Sequence, residues 1–257
     1  MQLIDVVIPA HEKDVLTLDY VIAGIKKNAK NIRRIIVVSK EKYTDKAEWF
    51  DEALYPFSYK EISDILGGQR VGWHYQQLLK LYACLVIPDI SENILILDAD
   101  TVFYRSVEFF SPEGLPLYNL SKDKDLDQSE FQQTTFKHII KILPEIERYF
   151  PHKFLNVSGV CHHMLFQRHI IEDLMKRVEN TDFSGGKFYE IFLKNREGTC
   201  GVAEYNLYFY FLISCHPKNY QIRILKYKNT AKFNPWIERL RRKYRYCSYH
   251  SYMREEG

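Results

Sequence analysis

Asn93 to Asp98 (NILILD) reads as a buried strand, so Asp98 and Asp100 place two carboxylates at its C-terminal end. Open α/β sheets place their ligands there. Carboxylates at this spacing can hold a hard divalent cation, directly or through water, and such a cation binds the oxygens of a diphosphate. A D-x-D triplet is also an ordinary turn with solvated acids. Asp123, Asp125 and Asp127 (DKDLD) start like an EF-hand loop, yet the sixth position is Gln128 in place of glycine and the twelfth is Thr134 in place of glutamate. That triplet reads as a solvated loop, and position relative to a strand separates the two.

The elements that must position Asp98 and Asp100 begin with a predicted βαβ unit. Leu3 to Pro9 (LIDVVIP) and Ile32 to Ser39 (IRRIIVVS) are β-branched runs, with an amphipathic stretch from Val15 to Lys27 between them. Continuous apolar strands alternating with helices predict an α/β fold with a mostly parallel sheet covered on both faces. A helix is expected from Gly72 to Val86, where Tyr75, Leu78, Leu79, Tyr82 and Leu85 keep the i, i+3, i+4 spacing. It leads into the strand ending at Asp98. Beyond it come a polar loop from Ser121 to Glu130, helices over Gln132 to Ile142 and Arg168 to Val178, a strand over Gly159 to Phe166, and an aromatic helix from Ala203 to Ile213. The tail Trp236 to Arg245 (WIERLRRKYR) reads as a basic, aromatic terminal helix, followed by CSYHSY. With no repeat and no linker rich in Gly, Ser or Pro, residues 1–257 read as a single domain.

The 257 residues, 46% apolar and 27% charged, are enough for a sizeable core and unlike a disordered or fibrous chain. Thirty-six basic against 33 acidic residues leave a net charge of +3, too little to argue for nucleic acid as a partner. The aromatic load, 19 Tyr and 16 Phe, suits flat sugar or base surfaces and equally suits a core. Five cysteines, an odd number without a C-x-x-C pair, read as reduced thiols of a cytoplasmic protein. The N-terminus has no pattern of a secretory leader. The longest strongly apolar stretch, near Leu207 to Ile213, falls far short of the ~20 residues of a membrane span.

Five segments in order carry a resemblance: VVIPAHEKD, GWHYQQLLKLYA at Gly72 to Ala83, ILILDADTVF at Ile94 to Phe103, VSGVCHHMLF at Val157 to Phe166, and AEYNLYFYFL at Ala203 to Leu212. Together they resemble the glycosyltransferase A-type (GT-A) proteins, and within them a group from bacteria and giant viruses with G-W-x-x-Q-Q-x-x-K-L ahead of D-A-D. The resemblance implies a single GT-A domain. Residues 1–104 would form the nucleotide-sugar half, and residues 105–257 a mixed acceptor half with the tail. It implies a sugar transferase that uses a UDP- or GDP-sugar with Mn²⁺ or Mg²⁺ and glycosylates a glycan or glycolipid, without nucleic acid as a partner.

On that resemblance Asp100 holds the metal, and Asp98 faces the ribose or sugar, directly or through the metal, with Ala99 between them. Pro9, Ala10, His11 and Asp14 end the first strand, where such transferases hold the base; His11 is either a base contact or a loop histidine. Trp73, Gln76, Gln77 and Lys80 share a helix face. Gln77 and Lys80 then reach donor hydroxyls or phosphate, or the face is simply solvated. Asn156, Ser158 and Gly159 are donor-sugar contacts or an ordinary turn. His162 and His163 lie in a predicted strand, so at most one faces the cleft. An inverting transferase needs a base at the acceptor hydroxyl, and Glu204, opening the aromatic helix, is the first candidate, with His163 and His162 behind it. The resemblance makes His250 a third metal ligand, with Ser248, Tyr249 and Tyr252 near the diphosphate and Arg241, Arg242 and Lys243 adding positive charge; a frayed terminus is the alternative. The basic tail also suits peripheral contact with anionic lipid.

Two other readings compete. ILILDADTV also fits a haloacid-dehalogenase-type phosphatase, but nearly a hundred residues precede it and no aspartate follows Asp182 to supply the later acidic motif. A nucleotidyltransferase would carry a glycine-rich loop where this chain has PAHEKD. The remaining alternative is a non-catalytic, degenerate transferase domain or an RNA-binding module using the tail.

Overall fold

The computed structural model describes residues 2–121, 130–149, 158–182, 184–218, 220–240 and 243–250. In chain order its elements are β1 Ile4–Pro9, α1 Val15–Asn28, β2 Ile32–Ser39, β3 Glu48–Asp51, α2 Tyr59–Leu66, α3 Val71–Val86, β4 Asn93–Leu97, β5 Thr101–Phe103 and β6 Leu117–Asn119. They continue as α4 Glu130–Ile142, β7 His163–Gln167, α5 Arg168–Thr181, α6 Phe188–Lys194, α7 Glu204–Cys215, β8 Gln221–Arg223, β9 Tyr227–Asn229, α8 Pro235–Leu240 and β10 Tyr246–Ser248.

The main sheet has the order β3-β2-β1-β4-β7. Its first four strands are parallel and β7 runs antiparallel to β4. All six residues of β1 are buried, as are Ile94 to Leu97 of β4, which is why both strands read as largely apolar runs, broken in β1 only by Asp5. Helices flank this sheet: α3 packs on β1, and α5 and α7 on β7. Much of the aromatic load is core, with Tyr118, Tyr208, Tyr210, Phe166, Phe209 and Phe211 all under 2% exposed.

Local signals account for the helix limits. Ser58 caps α2 in a box with Glu61, and Gly67 ends it in the left-handed region. In α3 the inward face is as expected except at Leu85, which is 41% exposed. Gly24 of α1 has a packing reason: a Cβ there would meet the Phe103 carbonyl oxygen at 2.9 Å, so glycine lets α1 lie against β5.

Two expectations are corrected. The strand expected over Gly159 to Phe166 begins at His163, because His162 has φ 62 and breaks the extended run. Of the terminal helix expected over Trp236 to Arg245, the described part is α8, and Tyr246–Ser248 beyond it form β10, antiparallel to β5 and parallel to β9. Residues 246–250 are buried, so this stretch is not a frayed end. No helix among the described residues is long and apolar enough to cross a membrane.

Candidate active site

β4 ends at Leu97, and the Thr101 amide donates to the Asp98 carbonyl at 3.0 Å, so Asp98 to Thr101 make a turn that feeds β5. Three distant segments clamp this turn. The Asp98 amide donates to the His162 carbonyl and the Tyr249 amide to the Asp100 carbonyl, both at 3.0 Å. The Thr17 hydroxyl of α1 lies 2.9 Å from the carbonyl oxygens of Asp14 and Ala99. The two carboxylates therefore stand on a braced corner between two sheets, the kind of rigid placement a binding site needs.

Lys80 of α3, 3% exposed, donates to Asp98 Oδ1 at 2.5 Å and to Glu204 Oε1 at 2.6 Å. The Tyr205 hydroxyl donates to the same Asp98 oxygen at 2.9 Å. His162 Nδ1 lies 3.2 Å from Asp98 Oδ2, and His250 Nδ1 lies 3.1 Å from Asp100 Oδ2. The two imidazoles are 4.5 Å apart. Burial alone would raise the Asp98 carboxyl, but the Lys80 charge and the hydrogen bonds from His162 and Lys80 hold it well below the ordinary carboxylate range. Burial opposes the Lys80 charge, and Asp98 and Glu204 more than restore it, leaving its pKa raised. Asp14 shifts the other way. Its burial raises it, opposed by the His11 amide, and the Asp100 charge adds to the rise.

One cleft of about 530 Å³ gathers these groups, with Asp14, Gln77, Lys80, Asp98, Ala99, Asp100, His162, Glu204 and His250 in its walls. Asp98 and Glu204 share Lys80, and with Asp14 and Asp100 the acids of the cleft wall outnumber its cations, Lys13, Arg70 and Lys80, by four to three. A divalent cation fits that surplus. No group of three or more His, Cys, Asp or Glu side chains among the described residues forms a ready-made metal cage. The donor set instead suits an ion held by one or two carboxylates and completed by water or phosphate oxygens. Asp100 and His250 are the best placed, because ligand atoms on one octahedral ion also sit roughly 3 Å apart.

The remaining expected residues lie elsewhere. His163 is 1% exposed, hydrogen-bonded to Asn119 and to the Cys161 carbonyl, and packed edge-on against Phe103 and Tyr246. It is a core histidine; the one facing the cleft is His162. Ser158 is fully buried and donates to Asn206 Oδ1, which also accepts from the Gly159 amide. A Cβ at Gly159 would lie 2.6 Å from Phe209 Cβ, so this glycine serves packing. Pro9 and Ala10 are buried at the end of β1, and His11 is exposed, capping the turn that leads into α1. Ser248 pairs with Thr101 next to the triplet at 2.8 Å. Lys243 stands beside Tyr244. The DKDLD loop at Asp123, Asp125 and Asp127, together with Asn156, Arg241, Arg242 and Tyr252, lies outside the described residues. Arg70, Phe131 and Asn229 also line the cleft and lie in none of the quoted segments, and Tyr205, which lines it too, lies in AEYNLYFYFL without an expected role. For Arg70 the available signal was its place one turn before Trp73 on the lysine-bearing face of α3.

A family model described as a family of unknown function, DUF6492, matches residues 4–234. The chain belongs to that family. No curated protein matches this DUF6492 chain. Among solved structures it is similar to the WbbM bifunctional glycosyltransferase in its apo form, with TM-score 0.50 and 12% identity over 97% of this chain. It spans 46% of the WbbM chain. It is also similar to the apo form of mouse xyloside xylosyltransferase 1, with TM-score 0.42 and 9% identity over 98% of each chain. At these identities the likeness to WbbM is one of fold, an α/β domain with a mostly parallel central sheet flanked by helices.

Proposed function

We propose that this DUF6492 protein is a metal-dependent glycosyltransferase moving a sugar from a UDP- or GDP-sugar to a hydroxyl of a glycan or glycolipid. The observation that carries the reading is the meeting of Asp98, Asp100 and His250 at the C-terminal end of β4, in one cleft with the buried Lys80–Glu204 pair. The fold shared with WbbM supports it.

Asp100 and His250, with Asp98 beside them, would hold the ion. Imidazole suits Mn²⁺ better than Mg²⁺. The bound ion would supply Lewis-acid stabilisation of the charge that develops on the leaving diphosphate. Lys80 keeps Asp98 ionised and aims Glu204. The Gln77 side chain accepts from the Glu204 amide at 3.0 Å and so fixes the first turn of α7. Glu204 Oε2, with no hydrogen-bond partner among the described residues, takes the proton of the acceptor hydroxyl. The acceptor oxygen then forms the new bond to the anomeric carbon, and the bond to phosphate breaks with its electron pair on the diphosphate. The phosphatase alternative is disfavoured because no aspartate follows Asp182 to supply its later acidic motif.

A panel of nucleotide sugars with Mn²⁺, read by calorimetry and donor hydrolysis, tests the proposal. Asp100→Asn is expected to abolish metal-dependent nucleotide binding, and Glu204→Gln to keep it while lowering transfer about 10²-fold. Unchanged affinity in Asp100→Asn would sink the reading; a retained anomeric configuration would remove Glu204 as base. A cytoplasmic location and peripheral contact with anionic membrane belong to the same proposal. Trp236 is 70% and Ile237 44% exposed beside Arg239. Co-sedimentation with anionic vesicles should fall as salt rises; no binding at low salt would dismiss the contact.

A further inference from the structure

Resting on the transfer reading above, we infer that the far end of the cleft is an acceptor subsite for an acidic sugar, with Arg70 binding the acid group and Trp73 and Phe131 the ring. α3 turns one face to the cleft at Trp73, Gln77 and Lys80, with Arg70 just before its first residue. At 1.5 Å per residue, Arg70 stands about 15 Å along the axis from Lys80, which marks the Asp98 end. With Lys80 at the Asp98 end, the subsite at Arg70 is assigned to the acceptor and not to a diphosphate at Asp100. The walls opposite Arg70 come from the second half of the chain: Phe131 in the first turn of α4, Cys200, and Ala203 just ahead of α7.

The Arg70 guanidinium lies 5.1 Å from the Trp73 ring centroid and donates to Cys200 Sγ. Among the described residues it donates to no oxygen, whereas Arg33, Arg34, Arg168 and Arg177 are ion-paired and Arg105, Arg196, Arg223 and Arg245 donate to carbonyl or amide oxygens. A planar fork left without an acid, at the mouth of a cleft, matches the two oxygens of a carboxylate or phosphate. Its backbone is held unusually. Arg70 has φ 47 and His162 has φ 62, so two of the five non-glycine residues with positive φ among the described residues line this one cleft. Such outliers persist where the surroundings over-determine them. Here fully buried His74 contacts the Arg70 carbonyl at 3.0 Å, and the amides of Trp73 and His74 donate to it.

Gln77 supplies an independent pointer. It is 1% exposed in the cleft wall between Trp73 and Lys80, and its Nε2 has no hydrogen-bond partner among the described residues. A buried amide donor left unmade is costly, and a ligand hydroxyl oxygen would satisfy it. Aromatic surface at Trp73 and Phe131, whose ring centroids are 6.4 Å apart, then takes the apolar face of a pyranose. The shared chemistry is an anionic group on a sugar ring, either a hexuronate or a sugar phosphate.

Calorimetric titration of the full chain with methyl glucoside, methyl glucuronide and glucose 6-phosphate tests this, the two anionic probes separating carboxylate from phosphate. At least one anionic probe should bind fivefold or more tighter than the neutral glycoside. Arg70→Ala should erase that preference and Arg70→Lys restore part of it, with melting curves confirming that both variants fold. A preference below fivefold in the natural protein, no binding of any probe, or a preference unchanged in Arg70→Ala would overturn the subsite. A parallel titration with UDP and Mn²⁺ keeps the two proposals apart. Nucleotide binding without acid preference defeats only the subsite, and acid preference without nucleotide binding defeats the transfer reading and the acceptor role with it, leaving an acidic-sugar site at Arg70.

Discussion

The two ends of the sheet handle a buried aspartate in opposite ways. Asp5, near the start of β1, is fully buried; Arg33 donates to it from Nε at 2.9 Å and from Nη2 at 2.5 Å, and the Ser91 amide adds a third bond at 2.9 Å. A planar fork on one carboxylate closes the charge account locally. Asp98, after the neighbouring parallel strand β4, instead shares the single ammonium of Lys80 with Glu204, and its side chain keeps 18% exposure in a cleft wall. An arginine in bidentate contact makes a finished structural joint. A lysine divided between acids, with Asp100 nearby, leaves negative charge facing a cavity, which is what a cation and its diphosphate require.

Breaking each joint should separate the two kinds. Lys80→Met strands two carboxylates in a buried place, and a stability loss of about 3–5 kcal/mol is expected in urea unfolding, with Mn²⁺ and nucleotide recovering part of it. A loss under about 1 kcal/mol would mean that Lys80 is not the compensating charge. Asp5→Asn should cost about 1–3 kcal/mol, since Arg33 can regain water, and should leave nucleotide affinity as it was. Any change in that affinity would show that the two ends are not independent.

The histidines sharpen the same contrast with a smaller effect. Burial holds His138 neutral, its pKa lowered to about 4, and burial with the Arg223 charge lowers His163 to about 3. In the unfolded chain both return to about 6.5. Between those values the unfolded state binds more protons, so this stabilisation is complete above pH 6.5 and is lost as pH falls towards 4 and 3. His138→Gln should therefore flatten the fall in stability between pH 7 and pH 5 by about 1–2 kcal/mol, read from urea midpoints. An unaltered slope would show that His138 is not held neutral by its burial.

Much of this was legible in the residues themselves. β2 spans the expected Ile32–Ser39, α1 and α3 begin within one residue of their expected starts, and β4 ends one residue short of Asp98. Burial on both faces of a strand, or on one face of a helix, imprints a local period on the chain. The same logic put Asp98 and Asp100 at a strand end, although it left open what they do there. What the period could not contain is contact between remote residues. Glu204 meets Lys80 across 124 positions, and His250 meets Asp100 across 150, through a three-residue β10 too short to announce itself. Which of His162 and His163 faces the cleft turned on one positive φ, and Gly159 is glycine because Phe209 lies against it. Local sequence determined which segments would be buried and where β4 would deliver its acids. Tertiary structure alone decided which charges those acids share, because pairing energy depends on distances that only the packed chain sets.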